Sequence, residues 1–559
     1  MAKAHKYIFV VGGVMSGVGK GVATSSIGLL LQARGFVVSP TKIDPYINVD
    51  AGTMNPTEHG EVFVLKDGYE TDQDMGNYER FLGLELSKKN YMTTGSIYQR
   101  VIERERNLEY KGKCVEVVPH IPLEVISRID NAAKALKADV SIIEVGGTIG
   151  EYQNILFLEA ARMLKLRYPE DVAIVLVSYL PVPGKIGEMK TKPTQYASRT
   201  LNGVGLQADY IIARSDHPLD EKRKEKLSLA CSVPVSHIIS APDVESIYDI
   251  PLNFEKDHLG DILVRQLRLK VKHAPKMDAW KAFVKKVHHS KKTVRIGIVG
   301  KYFASGDFVL SDSYLSVIEA LKYAAYKANR KPEIVWLTAD DFEGKTAAKS
   351  LATLSSYDGI IVPGGFGARG IEGKLAVIEY ARKHKIPYFG LCYGMQLMVV
   401  EYARNVLGLK GANTTEIDPK TKYPVIDVML DQKAKIATAS YGGSMRLGAY
   451  PAVLKAHTIA REAYGAETIE ERHRHRYEVN SAYVEAITDA GLIFSGVSPD
   501  GELMEIAELP KSKHPFFLGS QFHPEFMANP IDSHPLFDAF IKACIRQASD
   551  AHKKVIIQK

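Results

Sequence analysis

Cysteine is scarce in this chain, with four in 559 residues. Four scattered thiols argue against a disulfide framework and for a reducing compartment. Long apolar runs are missing as well. The longest, Val172 to Leu180, reaches half the length that a membrane span needs, and no apolar signal region precedes the strand-like run that starts at Tyr7. A cytoplasmic protein that enters no membrane is expected. Net charge is low too: +7, with the basic residues spread out rather than gathered in one stripe, so charge gives no indication of nucleic-acid binding. There is no fixed-period repeat and no low-complexity segment. What remains is ordinary for a globular protein, with 45% apolar and 25% charged residues, and the length exceeds what one core supports.

Strand-like runs at Tyr7 to Val11, Val140 to Val145, Val172 to Leu180 and Tyr210 to Ala213 alternate with helical stretches such as Val22 to Arg34 and Leu123 to Leu136. Arg295 to Val299, Glu333 to Leu337, Gly359 to Val362 and Pro387 to Leu391 repeat the pattern. This alternation predicts α/β architecture: two doubly wound domains in series, each a parallel sheet covered by helices. Between them, the basic stretch Lys270 to Arg295 places Trp280, Phe283, Val284 and Val287 on one helical face. The boundaries expected are a first domain over 1–270, an amphipathic linker over 271–293, a second domain over 294–547 and a frayed tail over 548–559.

In the second domain the apolar strand before Cys392 breaks into Gly390-Leu-Cys392-Tyr-Gly394. Glycines flanking a sharp strand-to-helix turn leave the central side chain exposed at the sheet edge, within reach of a base. A lone cysteine is more often a small buried hydrophobe, the reading given to Cys114, Cys231 and Cys544. Two further segments favour a nucleophile at Cys392: His523-Pro-Glu525, and Pro363-Gly364-Gly365-Phe-Gly367, whose glycine pair can aim backbone N–H groups at an oxyanion. Together they resemble the class I glutamine amidotransferases, which implies Cys392 as nucleophile, His523 as base and Glu525 as its orienting carboxylate.

The first domain opens with a strand and the loop Gly12-Gly13-Val-Met-Ser16-Gly17-Val18-Gly19-Lys20-Gly21-Val22. Open amides, a helix N-terminus and a lysine make a phosphate cradle. It departs from the standard Walker A pattern, which would place glycine at Val14 and Ser or Thr at Gly21. Without that hydroxyl, Mg2+ must be held by carboxylates from elsewhere, and Asp74 and Glu144 are the candidates. Lys190-Thr191-Lys192-Pro193-Thr194-Gln195 reads as a polar loop, kept from helix by its proline, that suits a second polyphosphate.

Over nearly its whole length the chain resembles the CTP synthase family. The matching runs are the Gly12 to Gly21 loop, Lys42 to Asp50, His59 to Phe63, Glu144 to Gly150, Lys190 to Gln195, the Pro-Gly-Gly-Phe-Gly loop, the cysteine elbow, Arg472 to Asn480 and Phe522 to Glu525. The resemblance implies a P-loop-like synthase domain, a flavodoxin-like glutaminase domain, and amination of UTP to CTP using ATP and glutamine, with Mg2+ and no organic cofactor. It assigns ATP to Gly17 through Val22, Lys42 and Asp74, and the metal to Asp74 and Glu144. The pyrimidine nucleotide falls to Ser16, Glu151, Tyr152, Gln153, Lys190 to Gln195 and Lys226. Glutamine falls to Gly365, Tyr393, Gly394, Met395, Gln396, Glu416 and Arg476, and His59 is placed near the ammonia exit of the synthase domain. The resemblance also implies GTP activation near Arg369 to Glu372, inhibition by CTP, and a homotetramer built as a dimer of dimers. One departure concerns recognition of the nucleotide: the family usually has Asp-Ile-Glu where this chain has Glu151-Tyr152-Gln153. Cobyrinic acid amidases share the outline but lack the Lys190 and Lys42 runs. A silent nucleotide-binding scaffold would be expected to lose Cys392, His523 or Glu525.

Overall fold

A computed structural model describes residues 5–184, 187–300, 304–305, 308–309, 311–365, 367, 369–429 and 445–557. The chain divides into two compact units, one formed by Met1–Ala51 with Asp74–Val284 and the other by Gly52–Gln73 with Lys285–Lys559. A short excursion of the N-terminal half thus belongs with the second unit.

The first unit is built on strands β1 (Lys6–Gly13), β2 (Val38–Asp44), β3 (Tyr91–Thr93), β4 (Val140–Val145), β5 (Val172–Tyr179), β6 (Tyr210–Ser215) and β7 (Ile238–Pro242). Among the described residues they form a seven-stranded sheet in the order β3-β2-β4-β1-β5-β6-β7, and every pairing is parallel. The strands read as continuous apolar runs because both faces are covered: Ile8 to Val10 and Ala173 to Val177 are fully buried. The loops after β1, β2 and β4 meet at the carboxyl edge, the usual place for a ligand in such a sheet. Helix α1 (Lys20–Ala33) follows β1.

Two expectations are corrected in this unit. Pro193 does not suppress helix. It occupies the first turn of α2 (Lys192–Gly203), where its missing N–H has no intrahelical partner to lose and its fixed φ suits the helix start. The linker helix is present as α3 (Asp278–His289), but its apolar face is part of the first unit's core. Trp280 donates its indole N–H to Tyr248 O at 2.9 Å, and Phe81 and Tyr248 pack on Trp280 and Phe283.

In the second unit β8 (Thr293–Gly300), β9 (Lys331–Thr338), β10 (Gly359–Val362), β11 (Tyr388–Leu391), β12 (Arg446–Leu454), β13 (Thr468–His475), β14 (Ile493–Val497), β15 (Met504–Glu508) and β16 (Phe517–Ser520) lie in the order β9-β8-β10-β11-β16-β15-β14-β12-β13. The half from β9 to β16 is parallel. The half beyond β16 is antiparallel, so this sheet is mixed. Antiparallel strands need no crossover helix, and β14, β15 and β16 follow one another without one.

The excursion contributes two short antiparallel strands, Phe63–Val64 and Glu70–Thr71, with Phe63, Val64 and Leu65 fully buried. Glu61 places its carboxylate at the start of α4 (Leu315–Lys327), accepting from Ser316 N at 3.1 Å, where the helix dipole favours an anion. Helix α5 (Tyr393–Asn405) follows the elbow. At the C-terminus, α6 (Pro535–Ile557) runs through the stretch expected to fray from 548 onward. Its first turns bury Leu536, Phe537, Phe540 and Ile541, and a helix once nucleated extends cheaply through a segment without Pro or Gly. Among the described residues no helix is long and apolar enough to cross a membrane.

Candidate active site

At the carboxyl edge of the first sheet, Gly17 and Gly19 take left-handed φ of 70° and 86°, and Val14, standing where a Walker A loop has glycine, takes φ 77°. Lys20 opens α1 and donates to Gly147 O at 2.9 Å; burial lowers its pKa against the opposing pull of Glu144. A Cβ on Gly21 would lie 2.1 Å from Asp74 Oδ1. The Asp74 carboxylate therefore occupies the place where the missing Ser or Thr side chain would begin, which is why glycine is required there.

Lys42, which is buried, donates to both Asp74 and Glu144, the latter at 2.9 Å. Asp44 lies 3.7 Å from the same ammonium, and the Tyr78 hydroxyl donates to the second Glu144 oxygen. Burial raises the Glu144 pKa, with Lys42 pulling the other way. Burial would raise Asp74 too, but Lys42 and Lys20 hold it below the ordinary carboxylate value. Two carboxylates that converge on one cation fit a hydrated Mg2+, which takes one or two carboxylates and completes its shell with water and phosphate oxygens.

Three residues near this edge escaped the sequence reading. Tyr78 and Asp74 are i,i+4 partners on one helix (Asp74–Leu82), a spacing that could have signalled them. Asp44 closes β2. Arg214, paired with Asp243 at 2.6 Å, lines a cleft with Gly19, Val177, Pro242 and Phe254; nothing in the sequence marks it.

The expected pyrimidine-nucleotide residues separate into two groups. Lys190 pairs with Glu188 at 2.5 Å, and Lys190, then Arg223 and Lys226, depress the Glu188 pKa, so Lys190 and Lys226 lie around one carboxylate. Thr191, Thr194 and Gln195 are buried while Lys192 is exposed. Glu151 is turned inward, accepting from Thr148 N at 2.9 Å and from Gln153 Nε2 at 2.8 Å. Tyr152 is 93% exposed, and Ser16 is exposed in the glycine loop.

In the second unit Cys392 caps α5 with φ 49° and ψ −98°, outside the ordinary regions for an L-residue. Its N–H donates to Ser520 O at 2.6 Å. Both flanking glycines are required: a Cβ on Gly394 would lie 2.1 Å from Val362 O, and one on Gly390 would lie 2.7 Å from Gly394 C. The elbow aims Cys392 at His523, whose Nδ1 sits 2.7 Å from Glu525 Oε1. Burial would lower the His523 pKa, but the Glu525 carboxylate and the Cys392 sulfur outweigh it and raise it to about 10. The Cys392 sulfur thus stands beside an imidazolium at a helix N-terminus. Of the other cysteines, Cys231 and Cys544 are buried, whereas Cys114 is exposed and so cannot be the core residue expected.

Two cavities meet at Cys392. The larger, about 590 Å³, is lined by Gly365, Tyr393, Gln396, Glu416, Arg474 and Arg476. Gly394 and Met395 are not among its lining: Gly394 presses on Val362, and Met395 is buried under Gly519. Phe366, in the glycine loop, lies outside the described residues. The smaller cavity, about 100 Å³, is walled by Glu61, Val62, Ser313, Tyr314 and Val317 together with Cys392 and His523. The excursion thus forms part of the wall beside the thiol. Phe63 packs edge-on against Phe526, which stacks on His523, and Glu70 accepts from Arg474 Nε at 2.8 Å. His59 ends the short helix Pro56–His59 on this excursion and is exposed. The excursion that carries it packs with the second unit.

The family model described as CTP synthase N-terminus matches residues 6–269, and that of glutamine amidotransferase class-I matches residues 309–543. A CTP synthase from Thermococcus gammatolerans is 50% identical over 540 residues, covering 96% of this chain and 98% of its own. The chain belongs to the CTP synthase family. A CTP synthase from Staphylococcus carnosus is 46% identical over 96% of this chain and 98% of its own length. A solved Trypanosoma brucei CTPS glutaminase domain with bound acivicin is 36% identical, covering 45% of this chain and 94% of its own, with a TM-score of 0.42. In CTP synthase terms, the phosphate loop and the Lys42 cluster fall in the synthase match, and the cysteine elbow with His523 and Glu525 falls in the amidotransferase match.

Proposed function

We propose that this chain converts UTP, ATP, glutamine and water into CTP, ADP, phosphate and glutamate. The observation that carries the reading is Cys392 at a helix N-terminus facing the His523–Glu525 pair, in the same chain as a phosphate loop with a buried lysine–carboxylate cluster. Cys392 Sγ attacks the glutamine carboxamide carbon, with the oxyanion forming at Gly365. His523 passes its proton to the departing ammonia and then takes one from the water that hydrolyses the thioester, while Glu525 steadies the ring. Glu416, Gln396, Tyr393 and Arg476 hold the amino acid, and the guanidinium takes its α-carboxylate.

In the first unit the uracil O4 attacks the γ-phosphorus of ATP and ADP leaves; ammonia then displaces phosphate from C4. Lys20 and Lys42 bind the ATP phosphates. Asp74 and Glu144 would hold Mg2+, which supplies charge neutralisation at the triphosphate. Ser16, Lys190 to Gln195 and Lys226 take the pyrimidine nucleotide. Ammonia passes to this site without equilibrating with solvent. The small cavity beside Cys392, with Glu61 and Val62 in its wall, supports such an exit. GTP activation near Arg369 to Glu372, CTP inhibition, a dimer-of-dimers tetramer and a cytoplasmic setting belong to the same reading.

Gln153, an amide where the family usually has an acid, leads to weaker CTP inhibition than in Gln153→Glu. Inhibition curves that coincide would overturn that part. The main test follows CTP by its absorbance, with glutamine or ammonium as nitrogen source. Cys392→Ala is expected to lose the glutamine reaction and keep the ammonium one. A wild-type enzyme that makes no CTP from either source with Mg2+ present overturns the whole reading.

A further inference from the structure

We propose that Gln521 is a catalytic residue of glutamine hydrolysis, its carboxamide N–H donating to Cys392 Sγ in the thiolate form. The proposal rests on reading Cys392 as the nucleophile. Gln521 follows β16, is fully buried, and is held by its own N–H on Glu505 O at 2.8 Å. Its Nε2 lies 3.5 Å from Cys392 Sγ.

The direction of the amide follows from its neighbours. Tyr477 O is a carbonyl and can only accept, so Gln396, 2.9 Å away, must present its nitrogen to it. The same Gln396 nitrogen lies 3.2 Å from Gln521 Oε1, so the Gln521 oxygen faces Gln396 and its nitrogen faces the sulfur. A buried amide donor needs a partner. A neutral thiol accepts poorly, whereas a thiolate makes a charge-assisted bond.

Arg474 O has the opposite preference. It lies 3.8 Å from Sγ and can engage only the S–H form. The sulfur therefore sits between an acceptor that favours the thiol and a donor that favours the thiolate. The charged and titratable groups around it are His523 with Glu525, Glu61 and Arg474 in the small cavity, and Glu416, Arg474, His475 and Arg476, with the Tyr393 and Tyr477 phenols, in the large one.

Gln521 serves two moments of the reaction. Before attack it raises the thiolate share and fixes the direction of the sulfur. When the thioester is hydrolysed, the C–S bond breaks and its electron pair returns to sulfur, where the same N–H receives the leaving group.

The test measures iodoacetamide alkylation of Cys392 against pH in the full chain, in a Cys114→Ser background, with the modified thiol mapped by mass. Gln521→Leu is expected to move the midpoint up by about one pH unit, a roughly tenfold slower reaction near neutrality. Gln521→Glu keeps an oxygen for Gln396 but sets a carboxylate on the sulfur, and should move the midpoint further. It decides the matter if the leucine variant does not fold. Unchanged midpoints in the folded variants, with a reactive wild type, overturn the role of Gln521 alone. A wild-type Cys392 inert to the reagent overturns the nucleophile reading beneath it.

Discussion

Cys392 holds a backbone conformation that costs about 1–3 kcal/mol, and the surrounding contacts must impose it: Gly390 and Gly394 leave no room for a Cβ, and Ser520 O fixes the cysteine N–H. His523 is tuned by the same neighbours. Its folded pKa of about 10 lies above the ordinary 6.5. Its stabilising contribution is therefore complete below pH 6.5 and is lost as pH rises through about 10. An NMR titration of His523 should show a midpoint near 10, falling in Cys392→Ala and further in Glu525→Gln, where burial is less opposed. Gly21 offers a second test at this scale. In Gly21→Ala the new methyl meets Asp74 at 2.1 Å, so Asp74 must move. Displacement of a positioned group by about 1 Å can cost a hundredfold, and ammonium-dependent CTP formation should fall by about that factor while glutamine hydrolysis continues.

At the scale of elements, the excursion Gly52–Gln73 does more than join two parts of the first unit. Its strands reach the wall behind His523 through Phe63 and Phe526, and reach Arg474 through Glu70. Phe63→Ala removes a fully buried ring and should destabilise the second unit by about 3–5 kcal/mol. Glutaminase activity should fall more than the ammonium reaction, as read by calorimetry and by the two nitrogen sources. Strand β13 was legible in principle. Arg472-His473-Arg474-His475 alternates with period two: Arg472 lies over Phe63 and Arg474 pairs with Glu70, while His473 and His475 contact each other at 2.9 Å. The helix after Lys190 is hidden in the sequence by Pro193, which breaks a helix interior but is favoured in a first turn.

At the scale of the whole molecule, pH should loosen the second unit from both sides. His514 is buried between Ala381 O and Phe516 N, and burial lowers its pKa from 6.5 to about 4. Its contribution, roughly 3 kcal/mol, is present above pH 6.5 and is lost as pH falls through about 4. Thermal melts of the second unit should therefore peak near neutrality and drop in acid, and His514→Gln should flatten the acid limb. The sequence by itself determined the α/β class, the phosphate loop with its missing hydroxyl, and the elbow with its His-x-Glu, because these are carried by residues close together in the chain and by periodicities that local sterics impose. Only the tertiary structure decided that Asp74 fills the space over Gly21, that Gly52–Gln73 belongs to the second unit, and that Gln521 faces Cys392. Each depends on contacts between distant residues, which follow from the packing and hydrogen bonding of buried groups and leave no local pattern.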